Sequence, residues 1–138
     1  MKYYFVEYTR KIINGFGGTA KGPIIKILPK YKDDSGLLEH EKVHVRQWYG
    51  VLALGLLVST LLTLLVSLSL WPLFGLAPFV HQLLYKLARP YRRWCEVQAY
   101  RKQIATGGYT SNEFAVTMLA KKYDLDLSVD KARALLFN

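Results

Sequence analysis

HEKVHVRQWYGVLALGLLVSTLLTLLVSLSL, residues 40–70, puts two different signals on one uninterrupted stretch. Its first five residues, His40-Glu41-Lys42-Val43-His44, set two histidines four positions apart. On a helix such residues lie one turn apart on the same face, so both imidazoles can reach one metal ion. Glu41 stands beside them, where a carboxylate can act as general base in a hydrolytic zinc site. From Val51 to Leu70 the only polar side chains are Ser and Thr. Twenty such residues of helix match the ~30 Å hydrocarbon core of a bilayer.

From Leu37 onward no proline occurs until Pro72, so the helix that starts near Leu37 is expected to run from the histidines into the apolar stretch. Gly50 and Gly55 are its weak points, and Trp48 and Tyr49 fall where interfacial aromatics lie. Upstream, the polar segment Pro29–Ser35 offers Asp33, Asp34 or Ser35 as the helix cap. Residues 3 to 29 alternate loosely and are rich in Tyr, Val, Ile and Phe, which reads as two strands, Tyr3 to Ile13 and Pro23 to Leu28. The glycines between them, Gly15, Gly17 and Gly18, have neither phosphate-loop nor dinucleotide-loop spacing and read as a turn.

Downstream, Trp71, Pro72, Gly75 and Pro78 form a turn signal, followed by a shorter apolar arm, Leu76 to Leu87. No Asp, Glu, Lys or Arg occurs from Gln47 to Tyr85; then come Lys86, Arg89, Arg92, Arg93, Arg101 and Lys102. Pro90 should kink or restart the helix there, and Gly107 and Gly108 should end it. Thr110 with Glu113 reads as a capping box for a helix to about Tyr123, and Ser128 caps a last helix to Phe137. The expected fold is α+β and mainly α. A short N-terminal β-hairpin or small sheet precedes the histidine helix and its apolar hairpin at about 47–88. A helix carrying Glu96 and two short C-terminal helices follow.

At 138 residues this is one domain with one core. A single cysteine, Cys95, rules out an internal disulfide and a cysteine zinc cluster. The net charge of +9 points to an anionic partner. Because the bases collar the apolar run and no nucleic-acid motif occurs, a lipid bilayer is expected and nucleic acid is not. The first residues, MKYYFVEYTR, lack the pattern of a secretory signal.

A catalytic zinc usually has three protein ligands. Among ten acidic residues, Glu96 is favoured: it follows the apolar excursion on a helix, and Ala99, three residues on, lets another helix approach closely. The competing reading pairs Glu96 with Arg92 or Arg93 on a solvated face. With His40, Glu41, His44, Glu96 and Ala99 together, the chain resembles the gluzincin metallopeptidases, in particular the membrane-associated HtpX-type and CAAX prenyl-type proteases. In those, HExxH is followed, after membrane helices, by ExxxD, commonly ExxAD. The resemblance covers about residues 23 to 105. It implies that His40, His44 and Glu96 bind Zn2+ and that Glu41 is the general base. One position departs: the family's aspartate, which orients a ligand histidine, falls on Tyr100. A phenol supplies no charge, so Glu39 or a backbone carbonyl is the alternative partner.

A single crossing by residues 51–70 would put His44 and Glu96 on opposite sides of ~30 Å of hydrocarbon. The metal reading therefore demands an out-and-back hairpin. Lys42 and Arg46 beside one arm, and Lys86, Arg89, Arg92 and Arg93 beside the other, give both ends a cytoplasmic character. His81, in the second arm, is either functional or bonded to a headgroup or backbone carbonyl. The expected activity is hydrolysis of a peptide or protein substrate, with Tyr100, Tyr91 or His81 as oxyanion donor and the strand Pro23 to Leu28 as an edge for the substrate. Two alternatives stay open: a non-catalytic membrane-anchored binding or assembly protein, and a soluble protein or part of a larger assembly with a protein-buried hairpin. Oligomeric state is open.

Overall fold

The computed structural model describes residues 2–13 and 15–138. The fold is mainly helical with a small three-stranded sheet near the N-terminus, as the patterning predicts. The strands are β1 (Phe5–Tyr8), β2 (Gly18–Lys21) and β3 (Ile24–Ile27), and the helices are α1 (Ser35–Leu65), α2 (Leu73–Leu87), α3 (Arg89–Thr106), α4 (Asn112–Lys121) and α5 (Val129–Phe137).

The sheet corrects two expectations. The glycine cluster is not only a turn, because Gly18 opens β2, which pairs antiparallel with β3 from Gly18↔Ile27 to Lys21↔Ile24. β1 pairs parallel with β3, so the strand order is β1-β3-β2. β3 is therefore central, and β2 is the edge that faces α1. Ile25 and Ile27 of β3 pack with Val45 of α1, and Leu37, Leu38 and Tyr31 close over them.

Of the three cap candidates, Asp34 starts α1: its Oδ1 accepts from Leu37 N at 3.0 Å. α1 is so tight against α3 at this end that a Cβ on Gly36 would stand 2.1 Å from the Gly107 carbonyl oxygen. The helix then continues for 31 residues to Leu65. After a 3-10 turn at Leu68–Leu70, α2 runs back along it, with Gly55 close against Ala77. Pro78 lies inside α2 and not in the turn. Its carbonyl accepts from Trp48 Nε1 at 2.9 Å, which ties the two arms together.

Pro90 restarts the chain as α3. Gly107, at φ 79°, ends it in a conformation that side chains disfavour. α4 is capped by Ser111, whose Oγ accepts from Phe114 N, and not by Thr110. Thr110 instead accepts from Gln103 Nε2, and Glu113 pairs with Arg133 of α5. The single core expected from the chain length is divided in two: α4 and α5 pack a second cluster against α3, built from Val97, Tyr100, Ala115, Val116, Leu119, Leu125, Ala132 and Leu136.

The hairpin belongs to neither core. Beyond Gln47, the only buried residue of α1 is Ser59, which bonds back to Gly55 O. Leu54, Leu64 and Leu65 are 60%, 69% and 79% exposed, and Leu68, Trp71, Phe79 and Leu87 are exposed as well. This is inverted relative to a water-facing helix, where the serine would lie outside and the leucines inside. α1 is long and apolar enough to cross a membrane.

Candidate metal centre

α1 and α3 meet between the two cores, and the sequence-predicted ligands converge there. His40 and His44, one helical turn apart, bring their Nε2 atoms to 3.2 Å from each other. From α3, Glu96 places Oε2 3.6 Å from His40 Nε2 and Oε1 3.4 Å from His44 Nε2. The three residues are near enough to share one metal ion. Glu96 does not pair with Arg92 or Arg93 on a solvated face: it is 1% exposed, and Arg92 turns to Asp124. Buried Glu96 Oε2 has no hydrogen-bond partner, an arrangement a cation would satisfy.

The ligands are oriented by groups the sequence reading missed. His44 Nδ1 donates to Gln47 Oε1 at 3.0 Å, and Gln47 Nε2 donates to Cys95 O at 3.2 Å, so one amide fixes the imidazole and ties α1 to α3. Tyr85 of α2 donates to Glu96 Oε1 at 2.5 Å. Gln47 lay hidden as one polar residue at the start of an apolar run, and Tyr85 as its last residue before the basic stretch. Glu39 does not orient a histidine, because it pairs with Lys42. Tyr100 packs its ring edge-on against His40, centroids 4.6 Å apart, and its hydroxyl bonds to Tyr123 at 2.9 Å. His81 hydrogen-bonds to Tyr91 through Nδ1 at 2.8 Å, not to a backbone carbonyl.

Glu41 is buried against the sheet, where Gly18 makes room: a Cβ there would lie 2.8 Å from Glu41 Oε1. Burial, and second the nearby Glu96 carboxylate, hold the Glu41 carboxyl well above the usual range. Burial also raises Glu96, against the opposing pull of His44 and Tyr85. His40 is held well below the usual imidazole range by burial and by His44. Gln103 beside it favours the charged form, although His40 Nδ1 has no partner in hydrogen-bonding geometry. Two buried carboxyls raised by burial, beside a buried imidazole lowered by it, form a donor set whose desolvation a bound cation would offset.

A cavity of about 820 Å³ opens over this group, walled by β2, by His81 and Tyr85 of α2, and by Tyr109 and Phe114. Comparison with protein-family models, with curated protein sequences and with solved structures finds no match to this chain.

Proposed function

We propose that the protein is a membrane-associated zinc peptidase of gluzincin type. The observation that carries this reading is the meeting of His40, His44 and Glu96, from helices far apart in sequence, beside a buried Glu41. Tetrahedral zinc with bonds of 2.0–2.1 Å to N and O needs ligand atoms about 3.3–3.4 Å apart. The two Nε2 atoms are 3.2 Å apart, and each lies near that distance from one oxygen of Glu96, Oε1 at 3.4 Å for His44 and Oε2 at 3.6 Å for His40. Zinc, when bound, supplies Lewis acidity toward water and the scissile carbonyl.

This chain's own residues do the rest. Glu41 takes a proton from the attacking water and returns it to the leaving amine; a base held above the ordinary carboxylate range suits a reaction near neutral pH. Gln47 and Tyr85 keep His44 and Glu96 aimed, and Tyr100 braces the ring of His40. The substrate-binding edge is β2, not β3, because β3 is hydrogen-bonded on both sides. A peptide laid along β2 passes Gly18 and so lies beside Glu41.

The exposed apolar hairpin supports insertion into a bilayer. α2, at 15 residues, is about 22 Å long and falls short of the ~30 Å core, so the hairpin enters and returns on one side. The basic collar favours the cytoplasmic side. Carbonate washing should leave the protein in the membrane fraction, and detergent should release it.

Glu41→Gln tests the chemistry. Zinc content should stay stoichiometric while peptide hydrolysis falls about 10²–10⁴-fold, the usual worth of a general base. Undiminished hydrolysis would remove the mechanism. A non-catalytic anchor, which rests on the hairpin alone, predicts no hydrolysis from wild type and no stoichiometric zinc.

A further inference from the structure

Six Arg, Lys, Asp and Glu side chains wall the cavity over the candidate metal group: Arg10, Lys21, Lys30, Asp34, Glu41 and Glu96. The three acids are buried, at 3%, 4% and 1% exposure, and each has work to do. Asp34 caps α1, and Glu41 and Glu96 belong to the site. The three bases are exposed at the mouth. Among the described residues none of them is in an ion pair, whereas Lys26 on the neighbouring strand is neutralised by Glu7 at 3.3 Å. Lys30 makes only a cation–π contact, its Nζ 4.7 Å from the centre of the Tyr31 ring. Of the Arg, Lys, Asp and Glu side chains that line the cavity, the exposed ones are all basic.

Their placement follows the strand. Lys21 ends β2 opposite Ile24, and Gly18 begins it opposite Ile27. Arg10 and Lys30 extend from the Ile27 end, where Thr9 N donates to Ile27 O at 3.0 Å. Gly18 and Lys21 are three residues apart, about 10 Å of strand. A peptide extended along β2 past Glu41 therefore has a cation toward each end.

Building on the peptidase reading, we propose that this cavity selects extended peptides with acidic side chains on both sides of the bond held beside Glu41. Three exposed pairs, each worth about two- to threefold, give a preference of about tenfold over neutral or basic peptides. The preference should shrink as salt shortens the screening length.

The test uses a fluorescent peptide pair, identical except for Glu or Lys at the flanking positions, on the full zinc-loaded chain in detergent. Kd is read with Glu41→Gln, so that binding is measured without turnover, and kcat/KM with wild type. The acidic peptide should bind about tenfold tighter, and Arg10→Glu, Lys21→Glu and Lys30→Glu combined should invert the order. The milder set Arg10→Gln, Lys21→Gln and Lys30→Gln should bring the two peptides to parity. Equal Kd values for the pair, or a preference that survives both variants, overturn the proposal. So does a charge reversal that weakens binding to phosphatidylserine vesicles and leaves the peptide order intact, which would assign the bases to the lipid surface. Charge-selective binding with no cleavage by wild type would sink the peptidase reading and leave this one standing.

Discussion

Replacing Gly18 by Ala asks whether Glu41 works from the position it occupies. The added methyl would lie 2.8 Å from Glu41 Oε1 and 3.2 Å from its Cγ and Cδ, and these are the three atoms nearest to it. Ordinary contact begins at 3.4 Å, so the carboxylate oxygen must retreat by about 0.6 Å. Misplacement by about 1 Å costs near 100-fold in rate, so kcat should fall by about tenfold. Gly18 is not in a positive-φ conformation, and alanine in a strand recovers up to about 1 kcal/mol of backbone entropy. The variant should therefore melt within about 1 kcal/mol of wild type. Zinc stoichiometry should not change, since neither histidine nor Glu96 is among the nearest atoms. The assay is kcat and KM on one peptide, with metal content and a thermal melt on the same sample. Full kcat in a folded, zinc-loaded variant would refute the role given to Glu41, and zinc loss would refute the separation of base from ligands.

Gly36→Ala should act on the fold instead: its methyl meets the Gly107 carbonyl at 2.1 Å, so backbone must move. Overpacking of this kind costs about 1–3 kcal/mol in denaturant titration, and unchanged stability would contradict the close approach of α1 to α3. Gln47→Ala removes the group that aims His44 and should weaken zinc affinity about 10–100-fold by chelator competition, with secondary structure retained. Zinc affinity should also rise with pH. Burial holds the Glu96 carboxyl above its ordinary 4.5, so in the metal-free protein a proton competes for this ligand over the interval above that value. His40 is pushed the other way, below 6.5, so it competes for a proton less than an ordinary imidazole does. An affinity that stays flat or falls as the pH is raised from 4.5 would contradict this sign.

His40, Glu41 and His44 were legible because their relation is local: helical spacing alone puts them together. Glu96 was legible through the demand that the chain return to the histidines, which α2 meets by packing back along α1. β2 was not, because glycine is poor in strands and Gly18 is there for the room it leaves Glu41. The parallel pairing of β1 with β3 is a contact across the intervening strand, which periodicity does not encode. The shift of the α4 cap from Thr110 to Ser111 shows the limit of short signals. Both residues can cap, and only the position of Gln103 decides which hydroxyl is taken.

α1 carries His40, His44 and the apolar run on one rod with no break between them. From His44 to Val51 is seven residues, so the ion-binding group stands about 10 Å from the start of the apolar run. For a hairpin sunk in lipid, that length is an altitude that no loop can adjust. If the protein is the peptidase proposed above, a polypeptide rooted in the same leaflet would have to climb it before being cut, which takes about three extended residues. On the proposed reading the rod would act as a spacer gauge, choosing bonds by their height above the lipid before any side chain is read.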